Sequence, residues 1–214
     1  MNSKIKMEVW DDDALGSDER VGTHYVNFKK IMNKNIECMW ANLYGPPLQA
    51  EGEYADLMTK FGDKGSTYRG RILYSVSTQN HENPKSGTTD LKFSFPANPS
   101  PNPVEKAYFL KIALYEGIEL PDVDEVAVHV SCGPFRAVSK LVKNENSRAV
   151  WNEYLPDLTI RAPANHDEIS DVIVYLATST NWSDRICFKR IKAKDLLDVN
   201  GRKFDIERIL LQED

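Results

Sequence analysis

The chain has 214 residues, of which 41% are apolar and 28% charged, and its 27 basic and 32 acidic side chains leave a formal charge of −5. That is the composition of a soluble globular protein long enough to bury a real core, and its charge lacks the basic excess of a nucleic-acid binder. Three widely spaced cysteines, Cys38, Cys132 and Cys187, suit reduced thiols better than a disulfide framework. With no signal peptide and no apolar run of ~18 residues, the expectation is a cytoplasmic protein that meets membranes only peripherally.

KIKMEVW alternates, with Ile5, Met7 and Val9 on one face, and predicts a first strand. THYVNF predicts its neighbour, and between them Asp11, Asp12, Asp13, Asp18 and Glu19 crowd into nine residues around Leu15. CMWANLYG reads as a third short strand closed by Gly45-Pro46-Pro47, and the polar, Gly/Pro-punctuated stretch that follows as a linker. Within that linker EYADLMTKF predicts a turn or two of helix. TYRGRILYSVST opens a second run of strands, followed by the loop QNHENPKSGTTD and the alternating LKFSF. PANPSPNP, with four prolines in eight residues, cannot support a ladder and reads as a connector. KAYFLKIALYEG, EVAVHVSCG, FRAVSKLVK, SDVIVYLATS and RICFKRIKA then follow as strands at sandwich spacing. KAKDLLDV predicts a helical turn before a last strand in RKFDIERILL. The fold expected is mainly β, an antiparallel sandwich.

The acidic turn admits two readings. Asp11 and Asp13, two apart, point to one side of a strand end, and Asp18 or Glu19 faces them from the returning arm. Such oxygen donors suit calcium, and crowded carboxylates disfavour one another's ionisation without a counter-ion. The competing reading, which spacing alone favours, is a solvated turn in which Asp supports turn hydrogen bonds.

The blocks VWDDDALGSDERVGTHYV, MWANLYGPP and STYRGRILYSV resemble, in order and spacing over Val9 to Val76, a stretch of the ferlin family (dysferlin, myoferlin, otoferlin). Beyond Val76 the likeness weakens, AVWNEYLPDL being its most suggestive piece. The resemblance implies non-enzymatic work in vesicle traffic, membrane fusion and repair by C2 domains. These are eight-stranded sandwiches that bind calcium and anionic phospholipid through loops at one end. It implies that Asp11, Asp13, Asp18 and Glu19 fall on ligand positions of a calcium loop and Leu15 on its membrane-facing tip. It further implies a division into residues 1–46, the partial remnant of a C2 domain, a linker over 47–66, and a C2-like sandwich over 67–214. The aspartates that a complete C2 site draws from an upstream loop have no counterpart here, so calcium binding by this chain is expected to be weak or incomplete. A remnant of three strands is marginal alone and must dock on the rest of the chain or on a partner.

The second module is poor in ligands: Asp122, Asp124 and Glu125 stand in one loop and Asp184 alone in the other. Its basic side chains, with Lys140, Lys143, Lys189, Arg190 and Lys192 foremost, offer a face to anionic phospholipid, although lysines also protect strand edges. Trp10, Trp40 and Trp151 read as core aromatics, and Trp182, in a loop, as a membrane or partner contact. The four histidines show no metal-ligand spacing, and His129 reads as a strand residue. No nucleophile elbow, P-loop or dinucleotide fingerprint appears. A calcium-independent protein-interaction scaffold derived from a ferlin is the alternative function.

Overall fold

A computed structural model describes residues 4–11, 19–33, 36–47, 50–76, 104–182, 184–197 and 212–213. The expected strands LKFSF and RKFDIERILL and the connector PANPSPNP lie wholly or almost wholly outside these residues. In chain order the elements are β1 (Lys4–Asp11), β2 (Glu19–Asn27), α1 (Phe28–Asn33), β3 (Ile36–Gly45), α2 (Glu53–Lys60) and β4 (Thr67–Val76). There follow β5 (Glu105–Leu110), β6 (Ala113–Ile118), β7 (Glu125–Cys132), β8 (Phe135–Val138), β9 (Val142–Lys143), β10 (Arg148–Tyr154) and β11 (Leu158–Pro163). A 3₁₀ turn (His166–Glu168), β12 (Val172–Ala177), β13 (Arg185–Ile191), α3 (Ala193–Leu196) and β14 (Gln212–Glu213) complete the described chain. The protein is mainly β and its sheets are antiparallel.

One sheet runs in the order β14-β13-β12-β7-β8, with β9 also on β7. Period-two alternation makes this sheet two-sided. Val126, Val128, Val130 and Cys132 of β7, with Val172 and Leu176 of β12, face a core shared with Ala149, Trp151, Ile160 and Ala162. Those last four belong to a long ribbon in which β10 pairs with β6 and β11 with β5. The Leu155 N–H donates to the Ile112 carbonyl at 3.0 Å, carrying the ribbon across the break between its two halves. KAYFLKIALYEG, read as one strand, is therefore two.

The other side of the sheet is covered as well. Ile173, Tyr175 and Phe188 pack there against Tyr44 of β3 and Met58 of α2, with Tyr68 of β4 alongside. Helix α2 owes this position to its spacing: Ala55 and Met58 are buried, while Tyr54 and Leu57 face out. The expected boundaries at residues 46 and 67 lie at the two ends of the connection between paired strands. β3 pairs with β4 from Ile36–Val76 to Gly45–Thr67, so the stretch expected as a linker is a packed connection inside one β-ladder. The docking that three marginal strands require takes place on the second module's own sheet.

Polar contacts lock this seam. The Arg190 guanidinium lies 2.6 Å from the Asp171 carboxylate and 3.5 Å above the centre of the Tyr44 ring. It also donates to the carbonyls of Gly62 and Gly65. The Asp171 N–H donates to the Tyr44 hydroxyl at 2.7 Å, and the Tyr175 hydroxyl to the Ser66 carbonyl at 2.7 Å. Buried Glu168 accepts from the Trp40 backbone N–H at 3.2 Å and from the Asn165 side-chain amide at 2.7 Å. Gly65 is needed because a Cβ there would stand 2.6 Å from the Gly45 nitrogen.

Candidate functional site

The β1–β2 hairpin pairs from Lys4–Asn27 to Asp11–Glu19, with one irregularity at Val9/Trp10. Its last pair sets Asp11 directly opposite Glu19, both exposed. Directly paired residues of an antiparallel ladder share a face, where like charges repel. The strands therefore deliver two carboxylates to the mouth of the acidic turn. Asp13, Asp18 and Leu15, the other expected ligands and the expected membrane tip, lie outside the described residues. Among the described residues no three His, Cys, Asp or Glu side chains are grouped as a metal site. The electrostatic neighbour of this end is Arg69 of β4, whose half-buried guanidinium is held below its ordinary pKa by burial and by the nearby charge of Arg185, while Glu19 opposes the shift.

The expected basic face does not assemble. Arg190 is largely buried and committed to Asp171, Tyr44 and two backbone carbonyls, where it serves as a structural clamp. Lys189 points to the opposite side of β13, opposite Val174. Lys192 is exposed just before α3, whereas Lys140 and Lys143 are exposed beside β8 and on β9. Two strands, β12 and β7, separate β13 from β8. At ~4.8 Å per strand this divides the five residues into groups about 14 Å apart.

Trp182 is half-buried, folded back over the sheet with its ring centre 4.7 Å from that of His129 and 5.8 Å from that of Tyr175. The Arg136 guanidinium covers it at 4.6 Å. Most of its ring is thus used in packing. Below it His129 is fully buried and donates from Nε2 to the Ser179 carbonyl at 2.8 Å, while Nδ1 has no partner among the described residues. Burial holds this imidazole below the ordinary histidine range. Trp10, expected in the core, is half exposed at 50% and stacked by Arg20 at 4.8 Å.

A pocket of about 150 Å³ opens at the seam, lined among others by Asn42, Tyr68, Arg71, Phe135, Arg161 and Ser170. It is smaller than the ~300 Å³ from which small-molecule sites begin, and Arg71 is already paired with Glu105 at 3.0 Å. Surfaces supply the other features of interest among the described residues. Sequence reasoning missed one of them, the outer face of the β1–β2 hairpin. There Lys4, Lys6, Glu8 and Trp10 share one side of β1, alternating with Ile5, Met7 and Val9, and Lys60 joins them from α2. The alternating basic residues of KIKMEVW were the available signal.

No protein-family model matches the chain. Among solved structures it is similar to a calcium-bound pair of C2 domains, the A and B domains of extended-synaptotagmin 2, at 16% identity over 90% of this chain and 60% of that one, with a TM-score of 0.34. It is similar at the same identity and TM-score to a structure holding the SMP domain of that protein with the same two C2 domains, of which 35% is covered. The chain thus spans three fifths or less of these structures. Overlaps of this size leave the global arrangements different, and no ligand is transferred from them.

Proposed function

We propose that this chain is a non-catalytic, ferlin-like β-sandwich module that associates peripherally with anionic phospholipid at the cytoplasmic side of membranes in vesicle traffic or fusion, with calcium strengthening the contact. The observation that carries the reading is the placement of Asp11 directly opposite Glu19 at the turn end of the β1–β2 hairpin. That pairing sets the two flanking carboxylates of the acidic run on one face, as a calcium-dependent loop requires. Hard oxygen donors fit calcium, and Asp11 and Glu19 are the described residues that would hold it. The bound ion would supply positive charge between these carboxylates and a lipid phosphate. The chain's own contribution is to keep the two carboxylates on one face, anchored through β3, β4 and α2 to the larger sheet. Two described carboxylates are few beside the 6–8 oxygens calcium takes, which keeps the expected affinity low.

Co-sedimentation with phosphatidylserine-containing vesicles, with calcium and with chelator, tests this. Calcium is expected to raise the bound fraction, and Asp11→Asn with Glu19→Gln to abolish the increment. An unchanged bound fraction on adding calcium would remove calcium from the mechanism. The second reading, a calcium-independent interaction scaffold, is favoured by Phe109 and Tyr154. They stand 70% and 81% exposed on the outer face of the ribbon, where apolar exposure marks partner surfaces. A stoichiometric protein partner retained under chelation and lost in Phe109→Ser/Tyr154→Ser would support it.

A further inference from the structure

The outer face of the β1–β2 hairpin is built from cations interleaved with aromatic rings. Alternation puts Lys4, Lys6, Glu8 and Trp10 on one side of β1. In the ladder Lys6 stands opposite Tyr25 and Trp10 opposite Arg20. Lys4 sits 5.6 Å from the Tyr25 ring centre and Arg20 4.8 Å from that of Trp10. The end of α2 continues the surface, since the Tyr25 hydroxyl donates to the Lys60 carbonyl at 3.2 Å. Lys60 and Lys64 lie 5.6 and 5.9 Å from the centre of the Phe61 ring. Of the carboxylates around the patch, Glu8 is already engaged by Lys6 at 2.6 Å and Arg20 at 2.9 Å, Asp63 adjoins Lys64, and exposed Glu53 and Asp56 share the outward side of α2 with Leu57 and Lys60. The basic excess is concentrated on the hairpin, where Lys4, Lys6 and Arg20 meet Glu8, in a chain of formal charge −5.

We propose that this face, with the end of α2, is a calcium-independent docking surface for an anionic phospholipid membrane. Charge complementarity selects an anionic partner, and the apolar groups select a membrane over a soluble polyanion. Trp10 is 50% exposed, and Tyr54 and Leu57 on the outward side of α2 are 51% and 41% exposed. Trp and Tyr rings settle at the level of lipid headgroups, and an exposed leucine gains by entering the acyl boundary but not by meeting a dissolved polyanion. The inference shares membrane association with the proposed function but not its ion. Asp11, on the other side of β1 from Lys6 and Trp10, belongs to the calcium arm alone.

The test is partition of the full chain onto phosphatidylcholine vesicles with and without phosphatidylserine, in chelator throughout. Binding is expected only with phosphatidylserine, weakening as salt rises. Lys4→Gln/Lys60→Gln, both at exposed positions, is expected to lower the partition coefficient about thirtyfold, from the worth of two cations at an anionic leaflet. Lys106→Gln/Lys111→Gln, an equal charge change at exposed positions on and after β5, is expected to stay within about twofold, since a distant charge is screened. Equal losses in the two double variants would reduce the effect to net charge and overturn the proposal. So would absence of binding in chelator, or capture by heparin without capture by vesicles. Loss of the calcium increment in Asp11→Asn/Glu19→Gln is expected to leave chelator binding intact, whereas loss of chelator binding in that variant would overturn the separation of the two arms. Failure of calcium to add anything in the unaltered chain would sink the calcium reading and leave this one standing.

Discussion

Replacing Arg190 by alanine is the sharpest test of how the two halves are joined. The side chain is 18% exposed and its partner Asp171 15% exposed, at 2.6 Å. Truncation would leave the Asp171 carboxylate largely buried and without its guanidinium. It would also strip a donor from the Gly62 and Gly65 carbonyls and remove the cation above Tyr44. Breaking a buried pair from one side costs about 3–5 kcal/mol, and a desolvated cation–π contact about 2 kcal/mol. These contributions overlap, so the expected loss is about 3–5 kcal/mol in total. A solvated surface pair would give ~1 kcal/mol or less. Urea unfolding followed by tryptophan fluorescence measures the difference, and Arg190→Met/Asp171→Leu is expected to recover a good part of it, because an apolar pair leaves no orphaned charge. A loss below ~1 kcal/mol for Arg190→Ala would refute the clamp.

Met58→Ala, at a side chain 1% exposed between α2 and the sheet, is expected to cost about 2–5 kcal/mol in the same assay. Gly65→Ala forces a Cβ into rigid backbone of β3 and is expected to lower the unfolding midpoint by the equivalent of about 1–3 kcal/mol. His129 stays neutral in the fold because burial depresses its pKa, whereas the unfolded imidazole takes a proton near ~6.5. The unfolded state therefore binds more protons just below that value, and stability present above it is lost as pH falls toward the folded pKa. The urea midpoint is expected to decline from pH ~7 to ~5 across that histidine range, and less steeply in His129→Gln; identical slopes would exclude His129 as a source.

Much of the strand pattern was legible because alternation is local. KIKMEVW, CMWANLYG, EVAVHVSCG and SDVIVYLATS each coincide with a strand in the structure. What alternation cannot report is what covers each face. In RICFKRIKA it separates Lys189 from Arg190, but nothing local says that the seam beside Phe188 and Arg190 is closed by Tyr44, Met58 and the turn at Gly62. Arg190 therefore read as a surface cation. The pairing of β3 with β4 was hidden for a related reason: the Gly/Pro punctuation of residues 46–66 signals a turn but not that its two ends meet. The acidic run was conspicuous in the sequence, and the hairpin register adds that its flanking members, Asp11 and Glu19, stand face to face. The cation–aromatic patch was not visible as a unit, since Lys4 and Lys60 approach one another only when α2 folds against β2.

The clamp and the patch are physically connected. Arg190 reaches the carbonyls of Gly62 and Gly65, and the turn between them carries Lys64, shortly after Lys60 and Phe61. The far sheet thereby fixes the position of the patch's α2 end, although Arg190 contributes no charge to the surface itself. Arg190→Ala is accordingly expected to speed amide exchange at residues 61–65 and to weaken vesicle binding in chelator severalfold, without denaturant, where the fold persists. Arg190→Lys keeps the charge but replaces the planar fork with a single ammonium, and should fall between. Faster exchange with undiminished binding would mean that membrane contact uses the hairpin alone and that the end of α2 lies outside the docking surface.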